Sequence, residues 1–482
     1  MGGPRTALVV LAVVLLAACT SSGEGEEADV VGRSTVASGV TSPEDTGDLG
    51  DADRPRGGTA RVGVWAEPDL GAPHLGGAAL RALVYPQLFI AGPSGEWLPS
   101  LVEPDSDRTG ADSMSASFRI REHAVWSDGT SINAEDLSAS ADQRFVASVE
   151  ADEADPRGVV VRFTQPYPGW RRLWSFTDSV PPRRDGLWGG PFELASFTDG
   201  LEAVLHPNGR WWGSGPFLAE LRLVLVPDVA IAQKLLDRGE LDVLMPPAST
   251  ARTDQLESVD GVEVATRSRS GWWTALHLNP DRLSDAERAG LVATVNRSEF
   301  VGTLLKGEAA VLDGLASPED AAWAGVEAGD ASGLPPAAEE VDLVGMLEEP
   351  MRWLLQRSMQ HRARAVDARL ELRNAEVERV TLWLAAGEYD AAMSLEVDPP
   401  EVCWTCRFAG VDATLASDAD AGDQEAAAAL EQRLRDDHLL LPLWRHVVVV
   451  AWRSSLNGPA ANGYAVSGAW NAADWWYDNP ST

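Results

Sequence analysis

The fold is decided by residues 125–140, which read VWSDGTSINAEDLSAS. Just before them, Phe118-Arg119-Ile120-Arg121 alternates apolar and charged residues, as a half-buried strand does. Asp128-Gly129 is a strong turn signal. Asn133 is suited to cap a following helix, with Glu135 and Asp136 in the positively polarised first turn. The stretch therefore predicts a strand, a tight turn and a capped helix.

The N-terminus has the pattern of a targeting segment. Arg5 precedes an uninterrupted apolar run from Ala7 to Ala18, which is too short to span a bilayer. The run ends in Leu16-Ala17-Ala18-Cys19, which resembles a bacterial lipobox. We therefore expect residues 1–18 to be a lipoprotein signal peptide and Cys19 to carry a lipid anchor. The alternative is a short buried helix with a chance cysteine.

Residues 19–57 have the composition of a disordered tether. Between Thr20 and Gly57 nine acidic residues face three arginines, and there is no aromatic residue. Such a segment buries too little apolar surface to order itself. We expect it to hold a folded body away from the lipid.

Length and charge bound the class of the folded body. About 425 residues remain, more than one compact core accommodates, so two or more lobes are expected. The whole chain of 482 residues carries a formal net charge of −34. This charge argues against nucleic-acid binding, because little would neutralise phosphates. It also argues against lying flat on an anionic lipid surface.

Cysteine usage agrees with export from the cytoplasm. Apart from Cys19, the chain contains only Cys403 and Cys406, in Cys403-Trp404-Thr405-Cys406. A C-x-x-C pair in an oxidising compartment favours a local disulfide. A thioredoxin-like redox pair and a metal site remain as alternatives. The first needs a helix start directly after a strand, and the second needs two further ligands that no second C-x-x-C or H-x₃-H pattern supplies.

The folded body reads as alternating strands and helices. Predicted strands are Thr59–Val64, 159–163, 341–344 and 370–372, and the clearest predicted helix covers residues 351–366. Residues 308–340 are rich in Ala, Gly and Pro and read as loop. The sequence contains no P-loop, H-E-x-x-H or G-x-S-x-G pattern, so we expect neither catalysis nor a cofactor.

The opening stretch resembles the W-x-D-G-x-x-x-x-A-E-D-V segment of the family 5 extracellular solute-binding proteins, the peptide and nickel receptors of ABC importers. Further resemblances follow in the family's order. They are residues 188–194 (WGGPFEL), 205–213 (LHPNGRWWG), 236–243 (LDRGELDV), 273–279 (WTALHLN), 288–297 (RAGLVATVNR) with Gly307, 387–392 (GEYDAA) and 441–444 (LPLW). Each motif alone is weak, but the ordered series covers residues 58–480.

The resemblance implies a two-lobed α/β fold of the type II periplasmic-binding-protein kind, with a ligand cleft between hinge-linked lobes. The first lobe is expected over residues 58–275, with an inserted subdomain at about 80–186. The second lobe is expected over residues 276–438, and residues 439–482 are expected to return to the first. The second lobe departs from the family, because it is shorter than usual between Gly307 and Tyr389.

The resemblance also suggests which residues meet a ligand. In peptide-binding relatives an aspartate after the G-x-Y-D motif pairs with the peptide's ammonium group, and here that acid is Asp398 or Glu396, depending on a one-residue gap. The alternative for Asp398 is the cap of a turn before two prolines. Leu395 stands where relatives have an aromatic residue, and Tyr85 is followed by proline where they have glutamate. Both departures weaken the case for a peptide with a free amine.

Aromatic and polar residues complete the candidate site. Trp272, Trp273, Trp383 and Trp404 are expected near the hinge or cleft, with Tyr85 and Asn279. Trp211, Trp212 and Trp470 fall in stretches typical of packing. His277 lies beside the inter-lobe strand, where a single histidine is more often structural than a nickel ligand, so no metal site is expected.

The sequence therefore favours a lipid-anchored receptor on the outer face of a bacterial cell membrane. Its expected partners are an oligopeptide or other small solute and the permease subunits of an ABC importer. The resemblance to the family implies a monomer. A lipoprotein binding or sensor module without a transport role is the alternative. A thiol–disulfide enzyme using Cys403 and Cys406 is a third reading.

Overall fold

The computed structural model describes residues 53–71, 75–175, 182–184, 186–247, 253–268, 270–305, 308–315, 321–336, 339–346, 350–375, 377–398, 404–408 and 410–480. The predicted signal peptide, Cys19 and most of the predicted tether lie outside these ranges, as does Cys403. Within them, no helix combines the length and the apolar character that crossing a bilayer requires.

The strands of the described residues are given in chain order. They are β1 (Thr59–Val64), β2 (Phe89–Ala91), β3 (Trp97–Pro99), β4 (Arg108–Thr109), β5 (Ser115–Arg119), β6 (Val146–Asp152), β7 (Asp155–Phe163), β8 (Phe192–Thr198), β9 (Glu202–Pro207), β10 (Glu220–Leu225), β11 (Val243–Leu244), β12 (Val262–Arg267), β13 (Trp272–Leu278), β14 (Ala309–Val311), β15 (Val341–Met346), β16 (Leu370–Ala375), β17 (Ala391–Val397), β18 (Leu440–His446), β19 (Val448–Arg453), β20 (Leu456–Asn457) and β21 (Trp476–Tyr477).

The α-helices of the same residues follow the same order. They are α1 (Leu75–Val84), α2 (Ala134–Ala139), α3 (Val229–Asp237), α4 (Thr253–Glu257), α5 (Asp285–Ala293), α6 (Arg297–Phe300), α7 (Pro350–Arg364), α8 (Val377–Ala385), α9 (Trp404–Phe408), α10 (Ala413–Asp420) and α11 (Gln424–Asp436). Single turns of 3₁₀-helix lie at Trp170–Arg172 and Ala472–Asp474, and a π-helical turn lies at Val301–Leu305.

The first large sheet, with seven strands, belongs to the first lobe. Its strand order is β12-β19-β11-β1-β10-β9-β8, with β1 parallel to both β10 and β11. The predicted strand at Thr59–Val64 is confirmed with the expected bounds. Ala60, Val62 and Val64 are buried on it, as the alternation of side chains along a strand requires.

The second large sheet forms the second lobe. Its strand order is β14-β18-β13-β17-β15-β16, and β13 pairs antiparallel with both β17 and β18. The predicted strands at 341–344 and 370–372 are confirmed as β15 and β16, and the predicted helix at 351–366 is confirmed as α7. In the predicted loop 308–340, the described residues include the three-residue strand β14.

In the part of the chain that the structure describes, two crossings join the two sheets. The chain leaves the first sheet after Arg267 and enters the second at Trp272, and it returns between His446 and Val448. Sheet membership therefore puts the crossings at residues 268–271 and 447, whereas the sequence placed the boundaries after 275 and 438. The two crossings are joined, because the Ser270 hydroxyl donates to the His446 carbonyl oxygen at 2.6 Å.

The inserted subdomain carries the corner predicted from the opening stretch. A four-stranded sheet, β4-β5-β7-β6, shares its hydrophobic core with the first large sheet. The Asn133 side chain accepts hydrogen bonds from the backbone N–H groups of Glu135 and Asp136, which confirms the predicted cap. The Trp126 indole donates to the Asp136 carboxylate at 3.2 Å, so the capped helix α2 is fastened to the strand side of the turn.

The last residues of the predicted tether contact the first lobe, which differs from the expectation of disorder up to residue 57. The Arg54 guanidinium lies 4.6 Å from the Trp476 ring, and Arg56 donates to the Pro216 carbonyl oxygen at 2.7 Å. The backbone N–H of Gly57 donates to the Phe217 carbonyl oxygen at 2.8 Å. Residues 54–57 are therefore held against the first lobe.

Candidate solute-binding site

The candidate site lies where the chain first crosses between the lobes. Gly271 stands in that crossing, and its N–H donates to the Gly463 carbonyl oxygen of the first lobe at 3.0 Å. Its carbonyl oxygen accepts from the Asp398 N–H at 2.7 Å, just after the end of β17 in the second lobe. A Cβ at residue 271 would lie 1.7 Å from the Asp398 carbonyl oxygen, so this close approach requires glycine.

Two predicted acids meet one arginine beside this crossing. Arg407 Nη2, on the short helix α9, donates to Asp398 Oδ1 at 2.6 Å and lies 3.3 Å from Glu396 Oε2. The Trp273 indole donates to Asp398 Oδ2 at 2.8 Å, and the guanidinium carbon lies 5.2 Å from the Trp273 ring centre. We call Glu396, Asp398, Arg407, Trp273 and His277 the acid–arginine cluster.

The far side of Glu396 is also engaged. His277 Nε2 lies 3.2 Å from Glu396 Oε1 and 2.9 Å from the Ser394 hydroxyl oxygen. The Ser394 hydroxyl donates to the same carboxylate oxygen. His277 thus contacts the Glu396 carboxylate. Within the described residues, no group of three or more His, Cys, Asp or Glu side chains is arranged to hold a metal ion.

The two acids differ in their ionisation. Burial raises the pKa of Asp398 to about 6, although Arg407 opposes the rise. Burial alone would also raise the pKa of Glu396, but the charge of Arg407 and the His277 contact outweigh it and lower this pKa to about 2. One guanidinium therefore serves two carboxylates, and Glu396 keeps its charge over a wider pH range than Asp398.

The other predicted site residues lie in packing positions. Trp272 is buried in the first-lobe core, and Trp404 is buried in the second-lobe core with its backbone N–H bonded to the Asp420 carboxylate at 2.6 Å. The Asn279 side chain donates to the Gly387 and Tyr389 carbonyl oxygens at 3.2 and 2.9 Å. These three residues fix the second lobe and its link to the first.

Trp383 and Tyr85 lie in other parts of the molecule from the cluster. Trp383 is on α8, where the Arg373 guanidinium carbon lies 4.1 Å from its ring centre. Tyr85 follows α1 in the first lobe, with its ring 5.9 Å from that of Trp188. The structure thus joins Trp273, Glu396 and Asp398, and it adds Arg407, which the sequence reasoning missed.

Tyr85 instead lines a cavity within the first lobe. The cavity has a volume of about 420 Å³. Its wall includes Tyr85, Arg121, Trp211, Trp212, Trp470 and Asp474. The three tryptophans were expected to be packing residues, but each is half-buried and faces this space. The Trp211 and Trp212 rings pack on each other, with centroids 4.1 Å apart.

The predicted disulfide is not described by the structure. Cys403 lies outside the described residues, and the side chain of Cys406 is likewise not described. The Cys403–Cys406 pairing remains a prediction, as does lipidation of Cys19.

Comparison with known families agrees with this architecture. The family model described as "Bacterial extracellular solute-binding proteins, family 5 Middle" matches residues 98–341, just over half of the chain. The chain belongs to this family of solute-binding proteins.

Curated relatives come from mycobacteria. The oligopeptide-binding protein OppA of Mycobacterium tuberculosis (strain H37Rv) is 27% identical over 263 residues, covering 47% of this chain and 44% of the relative. A protein of the same organism named "Probable monoacyl phosphatidylinositol tetramannoside-binding protein LpqW" is 28% identical over 306 residues, covering 54% of this chain and 45% of the relative. The matches thus span less than half the length of these relatives.

Solved structures share the fold over most of the chain. The oligopeptide-binding protein AppA from Bacillus subtilis, in complex with a nonapeptide, has a TM-score of 0.73 at 14% identity, covering 88% of this chain and 100% of that one. A periplasmic EDTA-binding protein, EppA, has a TM-score of 0.71 at 17% identity, covering 90% and 100%. The fold is the predicted two-lobed α/β fold of type II periplasmic binding proteins.

Proposed function

We propose that this chain is a lipid-anchored extracytoplasmic receptor that captures an oligopeptide between its two lobes and delivers it to an ABC importer. The observation that carries the proposal is the placement of the acid–arginine cluster. Its members extend from the crossing at Gly271, where the backbones of both lobes are hydrogen bonded to one residue. A solute bound at this point would lie beside the connection between the two lobes.

The crossing geometry supports capture by closure. Among the described residues two connections join the lobes, and a small change in their backbone angles would rotate one lobe relative to the other. A solute that contacts both lobes binds the closed form better than the open form and shifts the equilibrium towards closure. The chain's part in this scheme is binding and release, without catalysis.

Relatives support the oligopeptide as the solute class. One curated relative is named an oligopeptide-binding protein, and AppA was solved with a nonapeptide. Thermal unfolding of the full chain with defined peptide pools tests this assignment. A ligand that binds only the folded state must stabilise it, by about 2.7 kcal/mol at a hundredfold excess over the dissociation constant. Absence of stabilisation by every pool would overturn the peptide assignment.

The anchor and the importer need separate tests. The N-terminal pattern ending at Cys19 supports lipidation, and mass spectrometry of the mature N-terminus from the native host should find a diacylglyceryl mass on Cys19. Cys19→Ser should release the chain from the membrane fraction. Crosslinking in native membranes should capture permease subunits with a monomer of this chain.

A lipid-binding or sensor module without a transport role is the second candidate. The similarity to a protein named for binding a monoacyl phosphatidylinositol tetramannoside favours it, because that name describes a glycolipid rather than a peptide. Stabilisation of the chain by a mannosylated phospholipid, with none by peptide pools, would favour this candidate over the importer receptor.

A further inference from the structure

Each of the four carboxylate oxygens of the cluster lies beside a polar or charged group of this chain. Asp398 accepts a hydrogen bond from Arg407 on one oxygen and one from the Trp273 indole on the other. Glu396 has Arg407 beside one oxygen, and Ser394 and His277 beside the other. Arg407 therefore already makes charge-assisted contacts with both carboxylates, and these are the strongest contacts that a carboxylate forms.

The cluster is sheltered and its guanidinium is held on several sides. The side chains of Arg407, Glu396 and Asp398 are 14%, 10% and 20% exposed. Arg407 lies over the Trp273 ring, which adds a cation–π contact to its two acids. Displacing Arg407 from this position would leave two sheltered carboxylates without their cation, which is strongly unfavourable.

The positive charge at the cluster does not come from Arg407 alone. The positive charge of Arg445 acts on Asp398 together with that of Arg407. Arg445 is fixed at the crossing, where it donates to the Ser270 carbonyl oxygen at 2.7 Å. Arg407 is paired with both acids and Arg445 adds positive charge at Asp398, so an arriving ammonium group would gain less from the two carboxylates than it would from an unpaired acid.

We infer that Arg407 is the resident counter-cation of this site, and that the site takes solutes whose nearby end carries no free ammonium group. The matching class is peptides with a blocked or internal amide at that end, or solutes with an uncharged or anionic end. The part of the inference that concerns peptides rests on the proposed function. The pairing of Arg407 with Glu396 and Asp398 does not depend on which solute binds.

Matched peptides test the solute class. Binding of tri-alanine and N-acetyl-tri-alanine to the full chain is measured by titration calorimetry. The wild type should bind the acetylated form at least as tightly as the free amine. Arg407→Ala should shift this preference towards the free amine by about tenfold or more, because two carboxylates then lack a cation. A wild type that favours the free amine by about tenfold, or an unchanged preference in the variant, would overturn the inference.

A peptide-independent measurement separates this inference from the proposed function. If the wild type binds neither peptide, the tri-alanine assignment fails, and the role of Arg407 is judged by small cations. Ethylammonium and ethylguanidinium chloride should raise the melting temperature of Arg407→Ala in a saturable manner. The wild type should show no such rise, with tetramethylammonium chloride as the salt control.

Arg373→Ala is the matched control variant. Arg373 also lies over a tryptophan and pairs with an acid, Asp342, at 2.9 Å, but this acid is more exposed than either acid at Arg407. Its variant should show little rescue by either cation. Equal rescue of both variants, no rescue of Arg407→Ala, or a saturable rise in the wild type would each overturn the inference. Arg407→Gln, which retains much of the side-chain volume, serves if the alanine variant does not fold.

Discussion

Trp272 and Trp273 are consecutive residues of β13 whose side chains lie in two different hydrophobic cores. Trp272 packs in the first-lobe core and donates from its indole to the Ala465 carbonyl oxygen at 3.2 Å. Trp273 packs in the second-lobe core and donates to Asp398 at 2.8 Å. Successive side chains of a strand point to opposite faces, so this one dipeptide fastens both lobes at the crossing.

Removing either indole should weaken a different lobe. Trp272→Ala and Trp273→Ala should each cost about 3–5 kcal/mol of unfolding free energy, because both rings are buried. Hydrogen exchange should accelerate mainly in β1 and β10 for the first variant and in β17 and β18 for the second. The same exchange pattern in both variants would contradict the assignment of the two side chains to separate cores.

The stability of the chain should depend on pH through Asp398. Its pKa in the folded state is raised from 3.8 to about 6, so the unfolded state loses this proton first as the pH rises. The contribution of Asp398 therefore decreases between these two values, by on the order of 3 kcal/mol. The pKa of Glu396 is lowered to about 2, so its contribution is complete above its unfolded value and is lost as the pH falls towards 2.

Asp398→Asn isolates this pH dependence, because asparagine keeps an oxygen for the Trp273 indole. Urea unfolding at several pH values between about 4 and 7 should show a wild-type curve that falls relative to the variant curve. Parallel curves over this interval would show that Asp398 has an ordinary pKa and would contradict the described burial.

The helix cap at Asn133 should affect the stability of the fold and leave solute binding unchanged. Asn133→Ala removes the cap of α2 and should cost about 1 kcal/mol of unfolding free energy. Asn133→Asp preserves a capping oxygen and should be close to the wild type. Solute affinity, measured by calorimetry on both variants, should be unchanged. A loss of affinity without a loss of stability would place this corner in the binding site.

Asn279 should likewise act through structure. Asn279→Ala leaves the Gly387 and Tyr389 carbonyl oxygens without their side-chain donor and should cost about 1–3 kcal/mol of unfolding free energy. The ratio of affinities for free and acetylated tri-alanine should stay at the wild-type value. A changed affinity ratio in an Asn279→Ala protein of normal stability would show that Asn279 contacts the ligand.

Local sequence patterns predicted the elements well. The alternation in Thr59–Val64 and the Asn133 cap each involve neighbours in the chain, and both were predicted correctly. The crossing positions were less accessible, because β13 looks like one strand whichever sheet it joins. Its sheet is decided by pairing with β17 and β18, more than a hundred residues away.

The candidate site shows the same division. Glu396, Asp398 and Trp273 were predicted from ordered motifs, and the structure brings them together. Arg407 was missed because it lies beyond two prolines and a cysteine pair, and its contact with both acids depends on how α9 folds back. Trp383 is close to the motif in sequence but packs on another element, so proximity along the chain misplaced it.

Native mass spectrometry of the full chain, purified from its own host, tests solute capture most directly. We expect a fraction of the protein to carry a bound mass in the peptide range that is released on unfolding. Fragmentation of that mass should identify a peptide. A chain that carries no solute, and that no peptide pool stabilises, would contradict a peptide-capturing role.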